Sequence, residues 1–219
     1  MGLASALRDK GFVRVPCVFS AAQIQESSDV VDRLISMWRG SSDPDFWSFH
    51  NKDTEVLYRI HNLEKKNEVF LRLIQLSRFR AIVRRVMGAA VPTACALVYK
   101  MPHFGAEIPW HRDPLDVLPS TVFNFSIFLD ATSADNGPLS FVPGSHLHDR
   151  GYPTGRPHDA VAVRAAAGDV LIHDVRVYHG SDRSSSPTPR RSIIIEFQPV
   201  CLARTSIIGA IDRPDEQAR

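Results

Sequence analysis

The chain has 219 residues, 44% of them hydrophobic and 23% charged, with 26 Lys and Arg against 24 Asp and Glu for a formal net charge of +2. That length supports one domain with a sizeable core, and the near balance of charge argues against bulk electrostatic attraction to nucleic acid or to a membrane surface. Cys17, Cys95 and Cys201 are odd in number and form no CxxC pair, no apolar run approaches the length of a membrane span, and Arg8, Asp9 and Lys10 leave no room for an apolar signal core, so a cytoplasmic protein with reduced thiols is expected.

In chain order, residues 4–10 read as a short helix stopped by Gly11, and Phe12-Val13-Arg14-Val15-Pro16 alternates as a strand. Ser20 is placed to cap a helix carrying Ile24, Val30, Val31, Leu34, Ile35 and Trp38, ended by Gly40. Residues 41–45 form a polar loop, and the aromatic-rich stretch 46–60 fits short strands without a firm assignment. Residues 68–87 read as one helix, apolar through Leu71, Leu73, Ile74, Leu76, Phe79, Ile82, Val83 and Val86, with Arg72, Arg78, Arg80, Arg84 and Arg85 on a solvated face.

After Gly88 the pattern changes. Residues 92–101, 121–130, 139–142, 161–163, 170–172 and 191–199 are short alternating or apolar runs broken by Asp135-Asn136-Gly137-Pro138, Pro143-Gly144-Ser145 and Gly168-Asp169. This is mainly β with flanking α-helices, and it fits a double-sheet jelly roll or barrel with the first-half helices packed outside it.

Chemistry concentrates at three places in this half. Pro109-Trp110-His111-Arg112-Asp113-Pro114 sets a His and a carboxylate two residues apart, on one face of an extended backbone. His179, in Val177-Tyr178-His179-Gly180-Ser181, closes a strand-like segment, and Arg190 opens the last long strand. Two imidazoles and one carboxylate are the facial triad of non-haem Fe(II) oxygenases, leaving open positions for a bidentate oxo-acid and dioxygen. An Arg deeper in the barrel grips the far carboxylate of a dicarboxylic co-substrate. On a strand Arg190 and Arg191 point to opposite faces, so only one enters the barrel, and the spacing favours Arg190.

The span from about Lys100 to Gln198 resembles the phytanoyl-CoA dioxygenase (PhyH-like) family of Fe(II)/2-oxoglutarate oxygenases. The residues carrying the resemblance are Pro109 to Asp113, Asn136-Gly137-Pro138-Leu139, Val142-Pro143-Gly144-Ser145-His146, Gly168-Asp169-Val170, His179-Gly180-Ser181 and Arg190-Arg191-Ser192. The resemblance implies a double-stranded β-helix and a single domain: a helix-rich part over 1–90, a jelly-roll core over 91–200 and a tail over 201–219. It implies that His111, Asp113 and His179 ligate iron and that Arg190 binds 2-oxoglutarate. Asn124 is placed to assist Arg190, Ser126 on the same face is its alternative, and Lys100 is a further co-substrate candidate. Trp110 and Arg112 are the substrate candidates. Arg112 stands where the family often has Gln, and Asp113 argues for hydroxylation over halogenation, since halogenating relatives place a small residue there. His103, His146, His148 and His158 are not read as ligands, and His173 is read as a core group or one supporting the ligands.

The expected activity is oxidation of an unactivated C–H bond of a small organic molecule, a secondary metabolite first and an acyl-CoA or carrier-protein thioester second. Dioxygen is consumed and succinate and CO2 are released, by a monomer or weak dimer. The alternatives are a partner subunit that supports an active homologue, and a cupin-like metalloenzyme that does not use 2-oxoglutarate.

Overall fold

The structure, a computed structural model, describes residues 2–113, 122–148, 151, 155–203 and 206–208. The expected strand start at Thr121 and most of the expected tail lie outside these residues. α1 (Leu3–Lys10) ends at Gly11, whose φ of 82° is the left-handed conformation a C-terminal glycine supplies. β1 (Phe12–Val15) follows. α2 (Ala21–Met37) starts on a capping box in which Ser20 Oγ accepts from the Gln23 N–H and the Gln23 side chain accepts from the Ser20 N–H.

The stretch left open in the sequence is a hairpin, β2 (Phe46–Asn51) and β3 (Thr54–Ile60), with a register shift between Trp47 and Ser48. α3 (Leu63–Lys66) leads into the expected long helix, which is two: α4 (Glu68–Gln75) and α5 (Ser77–Met87), broken at Leu76 with ψ 123°. The buried side chains explain the break. They run Val69, Phe70, Leu73, Ile74 and then Phe79, Val83, and the five-residue step from Ile74 to Phe79 is out of phase with a continuous helix. Arg72 sits as a solvated face would have it, pairing with Glu26 and Glu68, but Arg80 does not: it is partly buried, with its guanidinium 5.6 Å over the Phe197 ring and donating to Ala90 O.

The second half supplies β4 (Ala90–Lys100), β5 (Ile108–His111), β6 (Phe123–Phe128), β7 (Leu139–Phe141), β8 (Val161–Ala162), β9 (Val170–Asp174), β10 (His179–Ser181) and β11 (Arg190–Pro199). A seven-stranded sheet, ordered β1-β9-β6-β11-β4-β3-β2, faces a four-stranded sheet, ordered β5-β10-β7-β8, and the recorded pairings are antiparallel. The jelly-roll expectation holds. The N-terminal part does more than cover the barrel, because β1 forms one edge of the large sheet and β2 and β3 the other.

Alternation along β11 separates two environments. Ile193, Ile195 and Phe197 join Leu97, Tyr99, Phe125 and Ile127 in the core shared with the helices, where Phe79 meets Phe125 and Phe197 at ring distances of 5.7 and 5.9 Å. The opposite face looks into the barrel, whose floor is the second core of Phe12, Phe128, Leu139, Phe141, Leu171 and Val177. Because Phe125 is fully buried among these rings, Phe125→Ala is expected to cost about 3–5 kcal/mol, read as a lower midpoint in urea denaturation with the slope unchanged.

Candidate active site

Register places the centre. His179 on β10 pairs directly with His111 at the end of β5, which sets the two imidazoles side by side with ring centroids 4.3 Å apart. Asp113 lies just past β5, its N–H donating to Val175 O at 3.0 Å. Asp113 Oδ1 is 3.3 Å from His111 Nε2 and 3.9 Å from His179 Nε2, and the three donor atoms lie within 4.8 Å of one another. Adjacent donors on an octahedral ion, each roughly 2.1 Å from it, lie about 3 Å apart. The set therefore closes on a metal by small side-chain movements.

The ligands are held from behind. His111 Nδ1 meets Pro109 O at 2.7 Å, and His179 Nδ1 meets Val177 O at 2.9 Å. Each carbonyl takes the Nδ1 proton and leaves Nε2 as the free donor toward the centre. Asn124 Nδ2 donates to Asp113 Oδ2 at 2.8 Å and is 3.4 Å from His173 Nε2, which itself stands 3.8 Å from Asp113 Oδ2. His173 is thus a buried neighbour of the ligand carboxylate.

Charge fits the same purpose. Burial, with His173 alongside, pushes His179 down to about 3, so it is neutral around pH 7. Burial alone would raise the Asp113 carboxyl, but hydrogen bonding to His111 and His173 and the nearby His179 hold it well below the usual carboxylate range. The hydrogen bond to Asp113 raises His111 above its ordinary 6.5. A proton therefore competes with metal mainly at His111. Below its raised pKa, iron affinity is expected to fall by about tenfold per pH unit, a one-proton slope; anaerobic Fe(II) titrations from about pH 5.5 to 7.5 measure it, and a two-proton slope would contradict the assignment.

Arg190 is buried, with Nε and Nη2 lacking a hydrogen-bond partner, and burial lowers it to about 10. Arg191 turns the other way: it binds Asp130 through two nitrogens, at 2.9 and 2.7 Å, and pairs with Asp32. Ser126 Oγ is also buried without a partner, and Ser126 pairs across with Ile194 on the interior-facing alternation of β11.

Four expected contacts fall elsewhere. Asn124 pairs with Glu196, six residues along β11 from Arg190 and so about 20 Å away along the strand; its amide serves Asp113 instead. Lys100 Nζ is directed at the carbonyls of Ala106, Ser181 and Asp182, and burial with Arg190 nearby lowers it to about 7, so it is engaged with backbone. Trp110 and Arg112 alternate with the ligands and point to the other face of the small sheet. The Trp110 ring lies 5.7 Å from Tyr178 and so close to Gly180 that a Cβ there would stand 2.9 Å from Trp110 Cδ2. Arg112 is spent on backbone carbonyls.

Arg59 was missed. It pairs with Val98 beside the barrel interior, its Nε is buried without a partner, and burial lowers its guanidinium against the pull of Asp113 and Glu196. A cavity of about 150 Å³ lined by Tyr58, Arg59, Val98, Ile108 and Pro109, among others, opens there. The one local signal was a charged residue inside the otherwise apolar run Val56-Leu57-Tyr58-Arg59-Ile60.

Two antiparallel sheets closed over two imidazoles and a carboxylate define the class of non-haem iron oxygenases. The family model described as phytanoyl-CoA dioxygenase (PhyH) matches residues 7–192, and the chain belongs to this family. It is similar to a probable alpha-ketoglutarate-dependent hypophosphite dioxygenase of Stutzerimonas stutzeri, 26% identical over 215 residues that cover 86% of this chain and 75% of the relative. Among solved structures, AviO1 from Streptomyces viridochromogenes Tue57 superposes with a TM-score of 0.79 at 34% identity, over 92% of this chain and 96% of that one. EctD from S. alaskensis, solved with 2-oxoglutarate and 5-hydroxyectoine, has the same fold, with a TM-score of 0.79 at 24% identity over 96% of this chain and 80% of that one. The enzymes of this family are iron- and 2-oxoglutarate-dependent dioxygenases, and this chain is one of them.

Proposed function

We propose that His111, Asp113 and His179 hold the iron, that Arg190 binds the distal carboxylate of 2-oxoglutarate, and that the enzyme hydroxylates or otherwise oxidises an unactivated C–H bond of a small organic substrate. One observation carries the reading: three ligand atoms converge within 4.8 Å, while the buried Arg190 guanidinium keeps two nitrogens without partners. Iron bound with 2-oxoglutarate and dioxygen supplies the oxidising power, and succinate and CO2 are released.

The chain's own part is binding and orientation. The Pro109 and Val177 carbonyls fix the two imidazoles, and Asn124 keeps Asp113 Oδ1 turned toward them by taking Oδ2. Arg190 waits for a carboxylate that neutralises it, and the partnerless Ser126 hydroxyl supplies a donor on the same interior surface. The second cores of Phe141 and Phe128 keep water from the floor.

We place the substrate near the cavity beside Arg59, lined also by Tyr58, Val98, Ile108 and Pro109, and favour a secondary metabolite ahead of an acyl thioester. The three free cysteines, with burial raising Cys95 well above the ordinary thiol value, suit a reducing compartment, and we place the enzyme in the cytoplasm as a monomer or weak dimer. The test is succinate released from 2-oxoglutarate by the purified chain with Fe(II), ascorbate and air. Slow iron-dependent release without added substrate is expected; intact 2-oxoglutarate after prolonged incubation would contradict the reading.

A further inference from the structure

We infer that Arg112 is a positioning residue that splints the two ligand-bearing segments together from behind the metal centre. The inference rests on the iron assignment above. Arg112 stands between His111 and Asp113 but projects from the opposite face. Its Nε donates to Arg176 O at 2.9 Å, and its Nη2 donates to Ser145 O at 2.8 Å and His148 O at 2.6 Å. The first carbonyl belongs to the segment that delivers His179. The other two belong to the turn at Ser145–Leu147 and the residue after it.

That turn is itself bound to the segment of His179. Ser145 Oγ accepts the Tyr178 N–H at 2.7 Å, and the Val142 N–H donates to Tyr178 O at 2.9 Å. From its outer side the turn is moored to α1, through the Gly144 N–H on Lys10 O at 3.0 Å and His146 Nε2 against Arg8 O at 3.1 Å. One guanidinium thus ties the strand of His111 and Asp113 both to the approach to His179 and to the turn that braces that approach.

The sheet alone gives this alignment little support. β5 and β10 pair only at His179↔His111 and Ser181↔Ile108, and the register shifts between them. A short irregular ladder leaves the relative placement of the two imidazoles to other bonds. A planar fork with several donors in fixed directions meets three carbonyls at once. A Lys offers one point charge there, and a Gln has a shorter reach.

The test uses Co(II) as the metal, titrated anaerobically into the metal-free chain and followed by its visible absorption, beside thermal melts of the metal-free proteins. Arg112→Met keeps the aliphatic stem of the side chain and removes every donor. Its Co(II) dissociation constant is expected to rise about 10–100-fold with a changed absorption envelope, and Arg112→Lys is expected to fall between Met and native. A purely structural role would lower the melting temperature and leave the affinity and spectrum of the still-folded protein alone. Binding by Arg112→Met within twofold of native, with the native spectrum, overturns the inference. If Arg112→Met does not fold, Arg112→Lys decides: a loss of fivefold or more supports the splint, and native affinity overturns it. A native chain that binds no Co(II) instead defeats the iron assignment beneath it, so the two failures are told apart.

Discussion

Asp113→Ala is expected to abolish iron-dependent turnover of 2-oxoglutarate, a loss beyond the about 10–100-fold that altering a neighbour of a metal ligand costs. The carboxylate does three things here. It supplies the only negative charge in the triad, it receives Asn124 at 2.8 Å, and it stands between His111 and His179 at 3.3 and 3.9 Å. Alanine leaves two neutral imidazoles and a dipole aimed at nothing. Iron binding by anaerobic titration and succinate release should both disappear, while the metal-free fold survives, because Asp113 is partly exposed and belongs to neither apolar core. Near-native turnover in Asp113→Ala would remove this carboxylate from the iron site.

Arg190→Met is expected to raise the KM for 2-oxoglutarate by about a hundredfold. A bidentate, charge-assisted pair with a carboxylate is worth several kcal/mol where solvent is excluded. The same substitution should not weaken the metal-free protein. The guanidinium lies buried with Nε and Nη2 unpartnered, and replacing such a buried charge by an apolar side chain of similar volume is often neutral or stabilising. Saturating 2-oxoglutarate and metal should raise the melting temperature of the native enzyme far more than that of the variant. Arg191 provides the control. It is bound to Asp130 and Asp32, so Arg191→Met should cost stability and leave the KM alone.

The centre was legible because its pieces are local. His111 and Asp113 share a face by alternation, and Arg190 is separated from Arg191 by the same rule. What joins them is not local: the pairing of His179 with His111 brings together residues far apart in the chain, and it was reached through resemblance to a family. Arg59 stayed hidden for a physical reason. Its hairpin carries a register shift at Trp47 and Ser48, which breaks the two-residue period, and it sets Trp47, Phe49 and Tyr58 together as an aromatic cluster outside the core, so its pattern matched neither a helix nor a regular strand. The break at Leu76 did leave a trace, the five-residue step from Ile74 to Phe79, but the nearly continuous apolar run covered it. Asn124 was placed on the correct face, and face alone does not say which end of a strand a side chain serves. Arg112, expected among the substrate contacts, alternates with the two ligands and so projects from the opposite face. Its carbonyl partners, at Ser145, His148 and Arg176, are set by the tertiary fold.

The most direct test of the account is optical. Anaerobic addition of Fe(II) and then 2-oxoglutarate to the metal-free enzyme should produce the weak visible metal-to-ligand charge-transfer band of a chelated 2-oxo acid. The band should be absent in Asp113→Ala, and in Arg190→Met it should require about a hundredfold more 2-oxoglutarate. A native enzyme that stays colourless, or a band that persists unchanged in Asp113→Ala, would contradict the site described.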